Sequence, residues 1–181
     1  MKKKTEIELI NGCKAQDQQL QKELVLRYSP MLMTISLRYT DSRPAAQDVL
    51  QDSLVKIIKS ITQFQHGGSF TAWMKRIVIN TALKSKSRIR YKFEYSGLDN
   101  IPEQELAPEA YANLNAAELM KLINSLPDGF REIFNLAAIE GYSHKEIGAL
   151  LQIAPSTSRS QLARARKLLQ TKLVKLEKMT A

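Results

Sequence analysis

The chain has 181 residues, 44% of them hydrophobic, and this composition excludes wholesale disorder. Its 27 Lys and Arg residues against 18 Asp and Glu give a formal net charge of +9, which favours a polyanionic partner, either nucleic acid or an anionic membrane surface. The single cysteine, Cys13, excludes an internal disulfide and is typical of a protein in a reducing compartment.

The charge is distributed unevenly along the chain. Residues 1–90 carry 16 basic and 7 acidic side chains, residues 91–118 carry 1 and 6, and residues 119–181 carry 10 and 5. Two basic segments are therefore joined by an acidic connector.

Between breaks rich in Gly and Pro, apolar residues recur at helical spacing, and no alternating strand pattern persists. We therefore predict an all-α protein of two small helical domains, with a helical bundle over residues 5–90, an irregular linker over 91–114 and a smaller bundle over 115–178. No uncharged apolar run approaches the roughly 18 residues of a membrane-spanning helix. We expect a soluble chain in the cytoplasm.

One predicted helix of the N-terminal bundle, around residues 48–61, contains two carboxylates one turn apart. Its predicted apolar stripe consists of Leu50, Leu54, Ile57, Ile58 and Ile61. The opposite face carries Asp48, Gln51 and Asp52. Paired carboxylates are compatible with acid–base catalysis or a metal site, but the sequence supplies no third ligand nearby. A solvated helix face and a docking face for a partner are the other interpretations.

The next predicted helix is apolar on one side and cationic on the other. Ser69 is a suitable N-cap, and Trp73 belongs to an apolar stripe that favours a place in the core. The helix ends in a run of basic residues that is suited to following a phosphate backbone, comprising Lys84, Lys86, Arg88 and Arg90. The polar, Gly-containing loop from Gln63 to Ser69 is adaptable enough to receive an unstacked base.

The segment 141–166 has the spacing of a helix-turn-helix. Ser143 and Glu146 form a predicted capping box, a turn follows at 152–154, and Pro155 suits the first turn of a second helix. That second helix carries polar and basic side chains, namely Thr157, Arg159, Ser160, Arg164, Arg166 and Lys167. A solvated basic helix is the alternative, but the turn spacing and the basic N-terminal end together favour major-groove recognition.

The C-terminal segment resembles region four of the extracytoplasmic-function (ECF) sigma factors, which belong to the sigma-70 family. The resemblance rests on Leu126-Pro127, Arg131 to Leu136, Glu140 to Ile147, Thr157 to Ser160 and Ala163 to Arg166. It implies that the second helix of the helix-turn-helix binds the minus-thirty-five promoter element. The residues implied in this contact are Thr157, Arg159, Ser160, Arg164 and Arg166.

The same resemblance implies that the helix preceding the helix-turn-helix binds the flap tip of the polymerase β subunit through Phe130, Ile133 and Phe134. The sequence departs from the family pattern at two positions. Ala154 replaces the usual N-cap Ser, and Ser158 stands where a Val is usual. Both departures concern the start of the proposed recognition helix.

The N-terminal segment resembles sigma region two through Asp48-x-x-Gln51-Asp52 and Phe70-x-x-Trp73 followed by Arg76-Ile77-x-x-Asn80. The first motif implies that Asp48, Gln51 and Asp52 grip the clamp helices of the polymerase β′ subunit. The second, with its preceding loop, implies melting and recognition of the minus-ten element. The residues concerned are Gln63, Phe64, Gln65, His66, Asn80, Lys84, Lys86 and Arg88. Lys84 stands near where the family has an Asp.

Together the two resemblances predict an ECF-type sigma factor that binds core RNA polymerase and directs promoter-specific transcription initiation. They also imply an anti-sigma partner. With two histidines, His66 and His144, and no phosphate-binding glycine loop or nucleophile motif, we expect neither an enzyme nor a cofactor. A helix-turn-helix regulator acting without being a polymerase subunit explains residues 119–178 but leaves the N-terminal helices without a role. A membrane-surface protein is the third interpretation.

Overall fold

A computed structural model describes residues 4–65, 67–87 and 116–180. The described residues are helical with short connections and contain no strand, which confirms the predicted all-α fold. Within them, no helix combines the length and the apolar character needed to cross a membrane. The chain divides into two compact units, Met1–Tyr91 and Lys92–Ala181, each with its own core.

The N-terminal unit contains four α-helices in its described part. They are α1 (Glu6–Lys14), α2 (Gln18–Tyr39), α3 (Arg43–Ser60) and α4 (Phe70–Ser87), with a 3₁₀ turn at Ile61–Gln63 after α3. Helices α2, α3 and α4 pack against one another in all three pairs, and α1 packs on α2. This packing leaves one face of α3 and the end of α4 at the surface.

Side-chain caps fix where these helices begin. Thr5 caps α1, and the carboxylate of Asp17 accepts hydrogen bonds from the backbone of α2. Ser42 Oγ accepts from Ala45 N at the start of α3, and Ser69 Oγ accepts from Ala72 N at 3.2 Å. The N-cap predicted at Ser69 is therefore confirmed. Each cap satisfies backbone N–H groups that the first helical turn leaves without partners.

The buried side of α3 is rotated slightly from the predicted stripe. Its fully buried line consists of Ala46, Val49, Ser53 and Ile57, whereas Leu50, Leu54 and Ile58 are half-buried. Two of these four residues, Ala46 and Ser53, are small and are 0% exposed. Ser53 Oγ donates to Val49 O at 2.6 Å, so its hydroxyl is satisfied inside the helix.

The described part of the C-terminal unit contains α5 (Ala116–Asn124), α6 (Asp128–Phe134), a π-helical segment (Asn135–Ile139), α7 (His144–Leu151) and α8 (Pro155–Thr180). Its core joins α5 and α6 to the long helix α8. This core consists of Leu122, Ile123, Leu126, Phe130, Ala165, Leu169 and Leu173. The linker predicted at 91–114 lies outside the described residues.

The turn between α7 and α8 is built on a close backbone approach. Gln152 adopts a left-handed conformation with φ of 56°, and Ile153 N donates to Gly148 O at 3.0 Å. A Cβ at Gly148 would lie 2.7 Å from Ile153 O, so this position has no room for a side chain. Helix α8 then begins at Pro155, which confirms the predicted helix-turn-helix.

Gly148→Ala should lower the stability of the C-terminal unit by about 1–3 kcal/mol, because its Cβ meets a backbone oxygen that cannot rotate away. Urea unfolding followed by far-UV circular dichroism measures the change. The only tryptophan, Trp73, lies in the N-terminal unit, so its fluorescence should report an unchanged transition. The exposed neighbour Ala149 supplies the control, Ala149→Ser. Equal stability of Gly148→Ala and wild type would contradict the close approach.

Candidate nucleic-acid and partner interfaces

The three residues predicted to contact the polymerase β′ subunit lie on one exposed side of α3. Asp48, Gln51 and Asp52 are exposed, while the opposite side of the helix is buried. We call these three residues the α3 face. Across the described ranges, no group of three His, Cys, Asp or Glu side chains could hold a metal ion, so the carboxylate pair lacks the further ligands of a metal site there.

An exposed aliphatic residue extends the α3 face. Val55 is 46% exposed and lies one turn after Gln51 and Asp52. Sequence reasoning did not select it, because an isolated apolar residue on a polar helix face resembles ordinary surface variation. Its position beside Gln51 and Asp52 gives the face an apolar element.

An aromatic cluster of Tyr28, Phe64, Phe70 and Trp73 holds both ends of the loop before α4. The Phe64 ring centroid lies 5.0 Å from that of Phe70 and 5.5 Å from that of Trp73. The side chain of Phe64 is buried, so the structure corrects its predicted contact with DNA: it anchors the loop from inside. Lys14, which sequence reasoning missed, donates from Nζ to Phe64 O at 3.0 Å.

Tyr28 connects this aromatic cluster to α1. Its ring lies edge-on to Phe70 with centroids 5.8 Å apart, and its hydroxyl donates to Glu6 Oε2 at 2.8 Å. Burial, followed by this hydrogen bond, raises the pKa of Tyr28 to about 12. The phenol is therefore a neutral donor throughout the physiological pH range.

The other predicted minus-ten residues are distributed over the loop and α4. Gln63, Gln65 and Lys84 are exposed, and Asn80 is half-buried. His66 and Arg88 lie outside the described residues, as does the side chain of Lys86. Among the described residues, Gln63 and Gln65 of the loop and Lys84 near the end of α4 therefore reach the surface.

The first half of α8 has a polar outer side and a buried inner side. Thr157 is half-buried, and the four remaining predicted contacts are exposed, namely Arg159, Ser160, Arg164 and Arg166. The inner side consists of Ser158, Leu162, Ala165 and Leu169. The capping box predicted for α7 is confirmed, with Glu146 N to Ser143 Oγ at 3.3 Å and Ser143 N to Glu146 Oε2 at 2.9 Å. Because the inner side of α8 is buried, the three arginines lie on the exposed outer side of a helix that is held in place.

The surface predicted on α6 needs a correction. Phe130 is 0% and Ile133 1% exposed, so neither side chain is available at the surface, and Phe134 is half-buried. Helix α6 lies so deep that even Arg131 and Glu132 are buried. The Arg131 guanidinium donates to Asn124 O at 3.0 Å and to Asp128 at 2.6 Å, which compensates part of its desolvation.

Family models match both units in the order expected from the residues. The model described as Sigma-70 region 2 matches residues 24–90, and the model described as Sigma-70, region 4 matches residues 116–169. The chain belongs to the sigma-70 family. The α3 face lies within the region-two match, and the helix-turn-helix lies within the region-four match.

Relatives place this sigma factor in the ECF group. It is 30% identical over 164 residues to the ECF RNA polymerase sigma factor SigE of Mycolicibacterium smegmatis, covering 88% of this chain and 63% of that protein. It is 27% identical to the ECF RNA polymerase sigma-E factor of Salmonella typhimurium, covering 91% and 92%. A solved sigma factor, RpoE of Bartonella quintana in complex with the anti-sigma factor NepR, is 26% identical with a TM-score of 0.54, covering 85% and 96%.

Phe130→Ala should destabilise the C-terminal unit of this sigma factor by about 3–5 kcal/mol, because it removes a fully buried ring. Phe134→Ala, at a half-buried ring, should cost clearly less. Thermal unfolding of the two variants makes the comparison. An unfolding midpoint for Phe130→Ala as high as that of Phe134→Ala would show that Phe130 is not a core residue.

Proposed function

We propose that this chain is a promoter-specificity subunit of RNA polymerase. It binds the core enzyme and directs DNA-templated transcription initiation, with region two over residues 5–90, a linker over 91–114 and region four over 115–178. The observation that carries the proposal is that a single chain presents the α3 face and a basic helix-turn-helix in two separate units. A subunit of this kind acts in the cytoplasm and performs no catalytic step of its own.

The α3 face is the proposed contact with the clamp helices of the polymerase β′ subunit. Asp48 and Asp52 attract a basic partner, Gln51 offers both a donor and an acceptor, and Val55 adds apolar area. Interfaces commonly combine a small apolar centre with polar surroundings in this way. The second contact, with the β flap, is proposed at the surface around Phe134, since Phe130 and Ile133 are internal.

Region two is proposed to melt and recognise the minus-ten element. The loop and α4 contribute Gln63, Gln65, His66, Asn80, Lys84, Lys86 and Arg88. The aromatic cluster and Lys14 hold the start of the loop, and Ser69 caps the helix at its end, so less conformational entropy is lost at these two ends when a base enters. The cationic end of α4 follows the phosphates of the displaced strand.

The first half of α8 is the proposed recognition helix for the minus-thirty-five element. Arg159 is suited to a bidentate contact with guanine, and Thr157 and Ser160 to hydroxyl contacts with phosphate or base edges. Arg164 and Arg166 lie one and two turns further on, where phosphate contacts set the register of the helix on the duplex.

An anti-sigma factor is the proposed regulator. The support is the Bartonella quintana structure, whose sigma factor is bound to an anti-sigma factor. An inhibitor of this class acts most directly by covering a surface that the polymerase needs, and the α3 face is such a surface.

Asp52→Arg should weaken binding to core polymerase at least tenfold, about 1.4 kcal/mol, because it places a cation where the partner is expected to be basic. Titration of fluorescently labelled chain with core enzyme measures the dissociation constant. Gln18→Arg, exposed at the start of α2, adds a cation away from the α3 face and should bind like wild type. Unchanged affinity of Asp52→Arg would remove Asp52 from the interface.

Arg159→Ala should cost about 1–3 kcal/mol of promoter binding and relax base preference at one position of the minus-thirty-five element. Filter binding of the reconstituted holoenzyme to a set of single-base promoter variants measures both effects. Lys175→Ala, exposed near the far end of α8, is the control and should leave base preference unchanged. Retention of the full preference by Arg159→Ala would place Arg159 outside the base contacts.

A further inference from the structure

A buried polar contact joins the two helices of the helix-turn-helix. Ser158, in the first turn of α8, is 0% exposed, and its Oγ lies 2.9 Å from Nδ1 of His144. A hydroxyl in an apolar interior is costly unless it is hydrogen-bonded, so this contact determines whether Ser158 can occupy the site. Either group can donate, since a neutral imidazole carries its proton on either nitrogen.

The histidine side of this contact stands on a rigid base. His144 is the first residue of α7, directly after the N-cap Ser143. The carboxylate of Glu146 accepts from Ser143 N at 2.9 Å and from Ser143 Oγ at 2.7 Å. The capping box thus fixes the backbone from which the imidazole projects, and half-burial of the ring restricts its movement.

The serine side lies between two proposed DNA contacts. Ser158 is flanked in sequence by Thr157 and Arg159, and successive helical residues are about 100° apart around the axis. A contact that fixes the rotation of α8 at Ser158 therefore also fixes the direction in which the Cα–Cβ bond of Arg159 leaves the helix. A hydrogen bond constrains direction, whereas an apolar side chain at this position could pack over a wider range of rotations.

A second contact acts at the other end of the turn. Gly148 approaches the backbone of Ile153 so closely that a Cβ would be 2.7 Å from its oxygen. This approach fixes the turn that leads into α8, and the His144–Ser158 contact joins the first turn of α8 to α7. The rest of α8 is held by the buried residues Leu162, Ala165 and Leu169.

We propose that His144 and Ser158 form a positioning pair that sets the orientation of the recognition helix and thereby sequence discrimination at the minus-thirty-five element. The inference rests on the proposed function of α8 and adds two positioning residues that touch no base themselves. It also accounts for Ser158 at a position where the sequence departs from the family pattern, because its hydroxyl has a specific partner.

The test uses full-length chain in holoenzyme and two promoters that differ by one base in the minus-thirty-five element. The readout is the half-saturating holoenzyme concentration on the disfavoured promoter divided by that on the favoured promoter. Ser158→Ala and His144→Phe should each lower this ratio about threefold to tenfold, as expected for the loss of one hydrogen bond. The double variant should lose no more than either single one, because both remove the same contact. A purely structural weakening would affect both promoters alike and leave the ratio unchanged.

Two further variants control the test. His144→Asn, whose amide can replace Nδ1, should keep discrimination, and Ser156→Ala, exposed in the same turn, should behave like wild type. Unchanged discrimination in Ser158→Ala would overturn the positioning pair, and so would a double variant whose loss of discrimination equals the product of the two single losses. In either case, discrimination by the wild-type holoenzyme would still support α8 as the recognition helix. A wild-type holoenzyme without discrimination at this element would overturn both.

Discussion

A helix that recognises a partner must bury one side firmly and keep the other side polar and exposed, and helices α3, α4 and α8 meet that constraint. The inner side of α3 packs through Ala46, Val49, Ser53 and Ile57. The inner side of α8 packs through Leu162, Ala165, Leu169 and Leu173, and that of α4 through Phe70, Met74 and Val78. Because these inner sides are buried, the backbone positions from which the charged side chains project are defined, which directional contacts to a partner require.

The sequence predicted the helical fold and the exposed polar sides well, because both follow from periodicity and capping. It misplaced buried aromatic and aliphatic residues. Phe64, Phe130 and Ile133 were expected at contact surfaces, yet a motif records which residue type stands at a position and not which neighbours cover it. The buried line of α3 was misplaced for a related reason: a small polar residue such as Ser53 weighs little in an apolar pattern, yet its hydroxyl bonds within the helix and the residue is fully buried.

Polar contacts that bridge elements could not be predicted, since they join residues distant in sequence. Lys14 reaches Phe64 O across 50 positions, and His144 reaches Ser158 across 14. Each contact joins a residue of a proposed recognition element to a neighbouring helix, Phe64 to α1 and Ser158 to α7. If the loop and α8 bind DNA as proposed, these contacts reduce the binding energy that is consumed in ordering the protein.

Mapping transcript 5′ ends after adding the purified chain to bacterial core polymerase on genomic DNA tests the central claim most directly. The account predicts defined start sites that core enzyme alone does not use, each preceded by two shared sequence elements at a constant separation. Start sites identical to those of core enzyme alone, combined with sequence-specific duplex binding by the isolated chain, would contradict it and identify a regulator that acts without being a polymerase subunit.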